Sequence, residues 1–353
     1  MDLNCKIAYV SLAAPLREEE FRLGELLAKK YGADKFVHII VPNDFVSESE
    51  KVTKAIGELA ADREIKILLF PQAIPGTNAG IDKFKEVRDD AFIIYSFIHE
   101  PIADSVKRAN LILRTNELEV GPAIVRQAKK HGAKAFVHFS FPRHMSIATL
   151  ASRRDLIRTT CEEEGLKFID AEVLDPIKSE NMVNAQKLIT ETVPEMVSKY
   201  GKDTAFFCTN CLLQSPLIRA VVESRAIYPQ PCCPSPFHGF PEALEIDNPN
   251  FDIRHMISEA SRILEEKDLS DRLSTWPVSV VMMCANAGVE YAIKWLNGEV
   301  PKDKIDRTVL LECIDNYIRE VVGEDSHVSL SLFTREGVTY NNYMRVQMSY
   351  LDF

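Results

Sequence analysis

The chain has 353 residues, enough for about two domains with sizeable cores, and its 46% hydrophobic and 27% charged residues are ordinary for a globular protein and exclude a disordered one. A formal net charge of −10 sets the surface against a phosphate backbone, and the dense basic clusters, Lys129-Lys130 and Arg153-Arg154, are too short to form a stripe and read as solvated helix faces. No apolar run approaches the roughly 20 residues needed to span a bilayer, and MDLNCKIAYVSL lacks the basic and apolar regions of a signal peptide.

KIAYVSL (6–12) is strand-like, and 18–31 is a helix with Phe21, Gly24, Leu27, Ala28 and Tyr31 on one face, closed by Gly32. KFVHIIVP (35–42) is the next strand, followed by a helix to about residue 61; IKILLFP (65–71) and a helix over 77–88 repeat the unit, and AFIIYSF (91–97) and NLILRTN (110–116) add two strands. A second series then begins: helix 117–130, strand 133–141, helix 147–164, strand 166–173, helix 183–200, strand 204–210 and helix 212–225. A Pro-rich loop (228–241) leads to a helix over 253–267 and to TWPVSVVMMCANAGVEYAIKWLNGE (275–299), read as one long helix. The tail, 328–352, has the period-2 pattern of an antiparallel hairpin around Arg335-Glu336-Gly337. Strands apolar throughout and separated by helices imply parallel sheets covered on both faces. The fold class is therefore α/β, with two doubly wound parallel-sheet lobes whose ligands bind beyond the carboxyl ends of the strands.

EVGPAIVRQAKKHGAKAFVHFSFP followed by RRDLIRTTCEEEGLKFID resembles the second lobe of type I periplasmic-binding-protein-like proteins, which include sugar-binding proteins and the effector domains of lac-repressor-like regulators. Arg153, twelve residues before Gly165, holds a family Arg position; TAFFCTNCLLQSPLIRAVVES matches a strand and helix where relatives carry an Asn-Asp pair, with Asn210 at the Asn and Cys211 in place of the Asp. The resemblance covers about 5–310 and is nearest to a little-characterised subgroup. It implies a Venus-flytrap protein with a multi-crossing hinge and a small polar molecule held between the lobes. The N-terminal lobe would be 1–115 plus about 275–310, and the C-terminal lobe 116–274 plus about 311–353. Cys211 at the Asp position predicts a ligand unlike a typical sugar.

Eight cysteines without an export signal read as reduced thiols in a cytoplasmic protein, or in an exported or lipid-anchored one if a leading segment has been removed. The spacing Cys208-x-x-Cys211 favours structural or cleft-rim thiols. A zinc site wants four ligands, and the adjacent Cys232-Cys233 pair makes joint tetrahedral ligation awkward, so no metal and no cofactor are expected. Cys208-Thr209-Asn210 also resembles the catalytic turn of cofactor-independent racemases, but no thiol ends a strand of the first lobe to serve as the opposing base.

Binding candidates lie at strand ends: Ser11, Asn43, Gln72, Ser96 and His99 in the first lobe, and Ser140, Arg143, His144, Asn210 and Gln214 in the second, with Arg153 on a helix as a planar fork for a carboxylate, phosphate or vicinal hydroxyls. The alternative for Arg153 is a salt bridge with Asp155 or another lobe residue. Phe97, Phe139, Phe141 and Trp276 would suit stacking on a sugar, nucleoside or amino-acid-like ligand, or belong to the core. No G-x-G-x-x-G or G-x-x-x-x-G-K phosphate loop occurs. The expected function is capture of a small polar ligand, without nucleic-acid contact and without catalysis, as a monomer or homodimer working with a membrane transporter or sensor. The rival readings are a Cys-dependent racemase-like enzyme and a regulatory or partner-binding protein that lacks a DNA-binding domain.

Overall fold

The computed structural model describes residues 3–13, 18–42, 44–45, 47–177, 181–323 and 326–353. The chain divides into two compact units, Met1–Thr115 with Val281–Val346 and Asn116–Val280 with Gln347–Phe353.

In the first unit β1 (Lys6–Ser11), α1 (Glu18–Tyr31), β2 (Phe36–Ile40), α2 (Ser49–Glu58), β3 (Ile65–Ala73), α3 (Thr77–Val87), β4 (Phe92–Ile98), α4 (Ile102–Ser105) and β5 (Leu111–Thr115) follow the predicted alternation. The strands pair in parallel, in the order β5-β4-β3-β1-β2. Their apolar residues fill both faces: Ala8, Leu68, Phe70, Ile93 and Tyr95 lie in one core cluster with Val52, Ile56 and Ile81 of the helices.

The second unit contains α5 (Glu117–Lys130), β6 (Ala135–Ser140), α6 (Pro142–Met145), α7 (Ala148–Glu163), β7 (Lys167–Glu172), α8 (Met182–Tyr200), β8 (Thr204–Cys208), α9 (Gln214–Glu223), α10 (Phe240–Leu244), α11 (Ile253–Glu266) and β9 (Ser274–Thr275). Its sheet is parallel in the order β7-β6-β8, and single parallel bridges continue it from Ala205 to Ile227 and from Tyr228 to Leu273. Phe136, Val137, Phe206, Phe207, Ile157 and Leu217 are fully buried around it.

The chain then returns to the first unit through α12 (Val280–Leu296), α13 (Arg307–Val321), β10 (Val328–Arg335) and β11 (Val338–Met348), and ends in the second unit with β12 (Leu351–Asp352). Two expectations are corrected and one element is added. The long helix starts at Val280 and not at Thr275, because Thr275 is paired in β9 and Pro277 has no N–H to give a helix. The tail does not lie in the C-terminal lobe, since residues 311–346 belong to the first unit: β11 pairs in parallel with β5, and Phe333 stacks on Tyr343 at 4.4 Å in the same core. Helix α13, which starts where the Asp306 carboxylate accepts from Thr308 and Val309 N–H, is an addition to the expected elements. The hairpin turn does fall at Glu336-Gly337, both with positive φ, as two-residue turns of this kind require.

Candidate functional site

At the carboxyl ends of the first unit's strands, polar side chains are joined in a chain of hydrogen bonds. His99 donates Nε2–H to Gln72 Oε1 at 2.6 Å, and Gln72 Nε2 donates to Glu20 Oε1 at 2.6 Å. Ser11 Oγ lies 2.7 Å from His38 Nε2, whose pKa burial pushes below the usual imidazole range. Ser96 Oγ is buried with no hydrogen-bond partner among the described residues, and the Arg114 guanidinium lies 4.3 Å from the Phe97 ring centroid. The Glu100 carboxylate accepts from the N–H groups of Gly76 and Asn78 at the start of α3, where a helix N-terminus favours negative charge. Asn43 and the Ala14-Pro15 end of the first loop lie outside the described residues.

The second unit brings Ser140, Thr209 and His144 together at one sheet edge. Ser140 Oγ is 3.2 Å from Thr209 Oγ1, and His144 Nδ1 is 2.9 Å from the same hydroxyl. The imidazole packs on Phe141 at 4.1 Å, and burial, helped by the neighbouring Arg143 charge, lowers its pKa to about 4, so it is neutral near pH 7. Beside it the exposed Arg143 makes a bidentate pair with Asp175 at 2.6 and 2.9 Å, which holds the Asp175 carboxyl below its usual range. Thr209, named above only within the Cys208-Thr209-Asn210 turn, is not among the sequence's binding candidates; its signal is its position directly after β8, beside Asn210.

Other candidates turn inward. Arg153 is 2% exposed, ion-paired to Glu117 on α5 and set over the Phe207 ring, so the structure makes it a buried structural charge. Gln214 is fully buried: its Nε2 donates to the carbonyls of Cys208 and Asn210, and its Oε1 accepts from Tyr228 Oη. Asn210 spends its Oδ1 on the N–H of Leu212, capping the turn that carries Cys211. Phe139, Phe141 and Trp276 are core. Cys208 is wholly buried at the end of β8, and burial pushes its thiol to about 12. That thiol stays protonated at neutral pH, which rules against Cys208 as the base of a two-thiol racemase.

Cys211 separates from Cys208 and meets the Pro-rich loop. Its Sγ is 3.5 Å from Cys232 Sγ and 3.9 Å from Cys233 Sγ, and Cys232 Sγ is 3.6 Å from His238 Nε2. Adjacency does not keep Cys232 and Cys233 apart: both side chains reach the same thiol.

A family model described as "Protein of unknown function (DUF3798)" matches residues 5–274. Two uncharacterized proteins of Treponema pallidum (strain Nichols) are similar: one is 33% identical over 47% of this chain and 76% of its own length, the other 31% identical over 40% of this chain and 63% of its own length, a little under two thirds. Among solved structures, a chain from Clostridium difficile 630 proposed as a transcriptional regulator aligns with a TM-score of 0.82 at 21% identity over 99% of both chains. The substrate-binding protein of a sugar ABC transport system from Bordetella parapertussis 12822 aligns at 0.56 and 10% identity, over 99% of this chain and 89% of its own. A carbohydrate transporter chain from Acidothermus cellulolyticus 11B, in complex with myo-inositol, aligns at 0.51 and 12% identity, over 90% and 99%.

Proposed function

The chain belongs to the family described as Protein of unknown function (DUF3798), with the α/β fold of periplasmic binding proteins, and on that premise we propose that it captures a small, hydroxyl-rich polar solute at the carboxyl-end edges of its parallel sheets. The observation that carries this is the Ser140–Thr209–His144 cluster. Two hydroxyls and a neutral imidazole offer both donors and acceptors without a fixed charge, which suits a polyol, a sugar or a nucleoside ribose; the expectation of a ligand unlike a typical sugar rests on Cys211, whose thiol instead meets Cys232 and Cys233. The ion pair of Arg143 with Asp175 borders the cluster and leaves no net charge there for an anion. In the first unit the Glu20–Gln72–His99 chain orients the Gln72 amide and the His99 ring in the same way. The Acidothermus chain with its bound myo-inositol supports the choice of ligand class. No helix among the described residues is long and apolar enough to cross a membrane, and the proposed role is capture for a transporter or a sensor, not turnover.

The test is a thermal-shift screen of polyols, sugars, nucleosides and amino acids on the wild-type chain and on Thr209→Val. A true ligand at a hundredfold excess over its Kd stabilises the wild type by about 2.7 kcal/mol, and loss of the shared hydroxyl weakens its binding about tenfold. A panel in which nothing stabilises the wild type sinks the solute-capture reading. Turnover of an amino acid that disappears in Cys208→Ser would establish the enzyme in its place.

A further inference from the structure

Cys211, Cys232, Cys233 and His238 place three sulfurs and one imidazole nitrogen within 4.8 Å of one another, and all four residues are half-buried. We propose that these four residues bind one four-coordinate, zinc-type divalent cation, which clips the loop that follows Tyr228 to the start of α9.

Three of the six donor separations match that ion, and the others lie within 4.8 Å. With Zn–S near 2.3 Å and Zn–N near 2.05 Å, a tetrahedron puts its sulfurs about 3.8 Å apart and sulfur from nitrogen about 3.5 Å. The contacts are 3.5 and 3.9 Å between sulfurs and 3.6 Å from Cys232 Sγ to His238 Nε2. The shorter sulfur contact is far beyond the roughly 2.05 Å of an S–S bond. Three thiolates and an imidazole are a soft, tetrahedral donor set that prefers zinc to calcium or magnesium. Four protein donors also leave no open position for water, so the site is structural and not catalytic.

Both donor-bearing segments are held from behind. The Asn210 carboxamide caps the turn of Cys211, and Gln214, fixed by Tyr228 Oη, ties the carbonyls of Cys208 and Asn210. On the loop, Ser235 N–H donates to Thr275 Oγ1, Phe237 N–H to Ser235 Oγ, and His238 N–H to the Ser235 carbonyl. Gly239 then passes so close to α9 that a Cβ there would lie 2.8 Å from Gln214 Cβ and 2.9 Å from Ser215 N. Such outer support fixes ligand direction in metal sites. Binding one cation to three thiols and a neutral imidazole releases up to three protons and leaves a complex of net charge −1, so affinity falls as pH falls.

The experiment uses the full chain purified under reducing conditions, with zinc and cobalt as probes. Expected are one zinc per chain after dialysis and, with cobalt, the intense thiolate-to-metal band and visible bands of a tetrahedral site. Cys232→Ser should lose the bound zinc, whereas Cys161→Ser, at a buried thiol outside the cluster, should keep it. If Cys232→Ser does not fold, His238→Cys decides, because a fourth sulfur intensifies the cobalt charge-transfer band only if residue 238 is a ligand. The proposal is overturned by substoichiometric zinc in the wild type, by zinc retained equally in Cys232→Ser, by a His238→Cys cobalt spectrum identical to wild type, or by a Cys211–Cys232 disulfide in the freshly purified chain. None of these outcomes bears on solute capture, which uses the Ser140–Thr209–His144 cluster.

Discussion

His138 lies on β6 with its ring wholly buried between Phe168 and Phe207, its Nδ1 3.1 Å from Asp170 Oδ1 and its Nε2 without a partner among the described residues. Burial, and secondarily the Arg153 and Arg154 charges, lower its pKa, while Asp170 opposes them. The folded state therefore holds it neutral, and the unfolded chain takes up the proton first as pH falls below the ordinary imidazole value of about 6.5. The stability it contributes is complete above that value and is lost below it. Between pH 6.5 and 5 ordinary carboxylates remain ionised, so the histidines dominate this window, and His38, His131 and His144, all with lowered pKa, act in the same direction. Denaturant midpoints measured at pH 7.5, 6.5, 5.5 and 5 should fall in the wild type and fall less steeply in His138→Asn, by up to about 1.4 kcal/mol per pH unit. Equal slopes would show that His138 is not held neutral. At this scale the sequence was least legible. Arg153 occupies the family's Arg position, but its carboxylate partner, Glu117, is 36 residues away on α5, and the pairing is set only when α5 and α7 pack. Gln214 looked ligand-facing because spacing shows where a residue lies along a helix and not which neighbours, here Tyr228 and two carbonyls, have already engaged its amide.

Among elements, the long amphipathic helices and apolar strands were legible, because each carries its own period over many residues. Short or irregular elements were not. Two-residue strands such as β9 and β12 have no period to read, and the loop between Tyr228 and α10 takes its shape from contacts with α9 and Thr275. For that reason the Cys208-x-x-Cys211 spacing shows two thiols and not their neighbours: Cys208 ends a strand inside the core, while Cys211 meets thiols 21 and 22 residues on, across a whole helix. Gly239 tests how strictly the loop is placed. Its φ of +84 and its approach to Gln214 and Ser215 both exclude a side chain. Gly132, at φ +87 with nothing within 4 Å of where a Cβ would stand, carries the strain without the clash. On the zinc reading, Gly239→Ala should weaken zinc affinity about 10- to 100-fold in competition with a chromophoric chelator, whereas Gly132→Ala should leave it unchanged. Equal effects of the two variants would mean that the loop contact does not orient the ligands.

For the whole molecule, the first crossing near residue 115 was readable from the restart of the βα alternation, and the second, expected at about 275, falls between Val280 and Val281, but the third, expected at about 310, falls between Val346 and Gln347. A hairpin pattern shows that two strands pair with each other and not which sheet they then join, which is why the unit that holds β10 and β11 could not be read from their period. The chain's last seven residues return to the second unit, and they are firmly built in. Leu351 and Asp352 pair with β9, Asp352 accepts from Gln127 and Lys130, and Phe353, 6% exposed, meets Phe240 edge-on at 4.9 Å. Each unit has its own buried core and sheet, so a defect at Phe353 should be felt first in the second unit. Truncating a buried Phe to Ala removes about 3–5 kcal/mol. In Phe353→Ala, native-state hydrogen exchange should therefore accelerate at β6 and β8 while β3 and β4 keep their wild-type protection. Faster exchange throughout both units by the same factor would instead show that the chain unfolds as one cooperative body, with the terminal residues contributing to the stability of the whole.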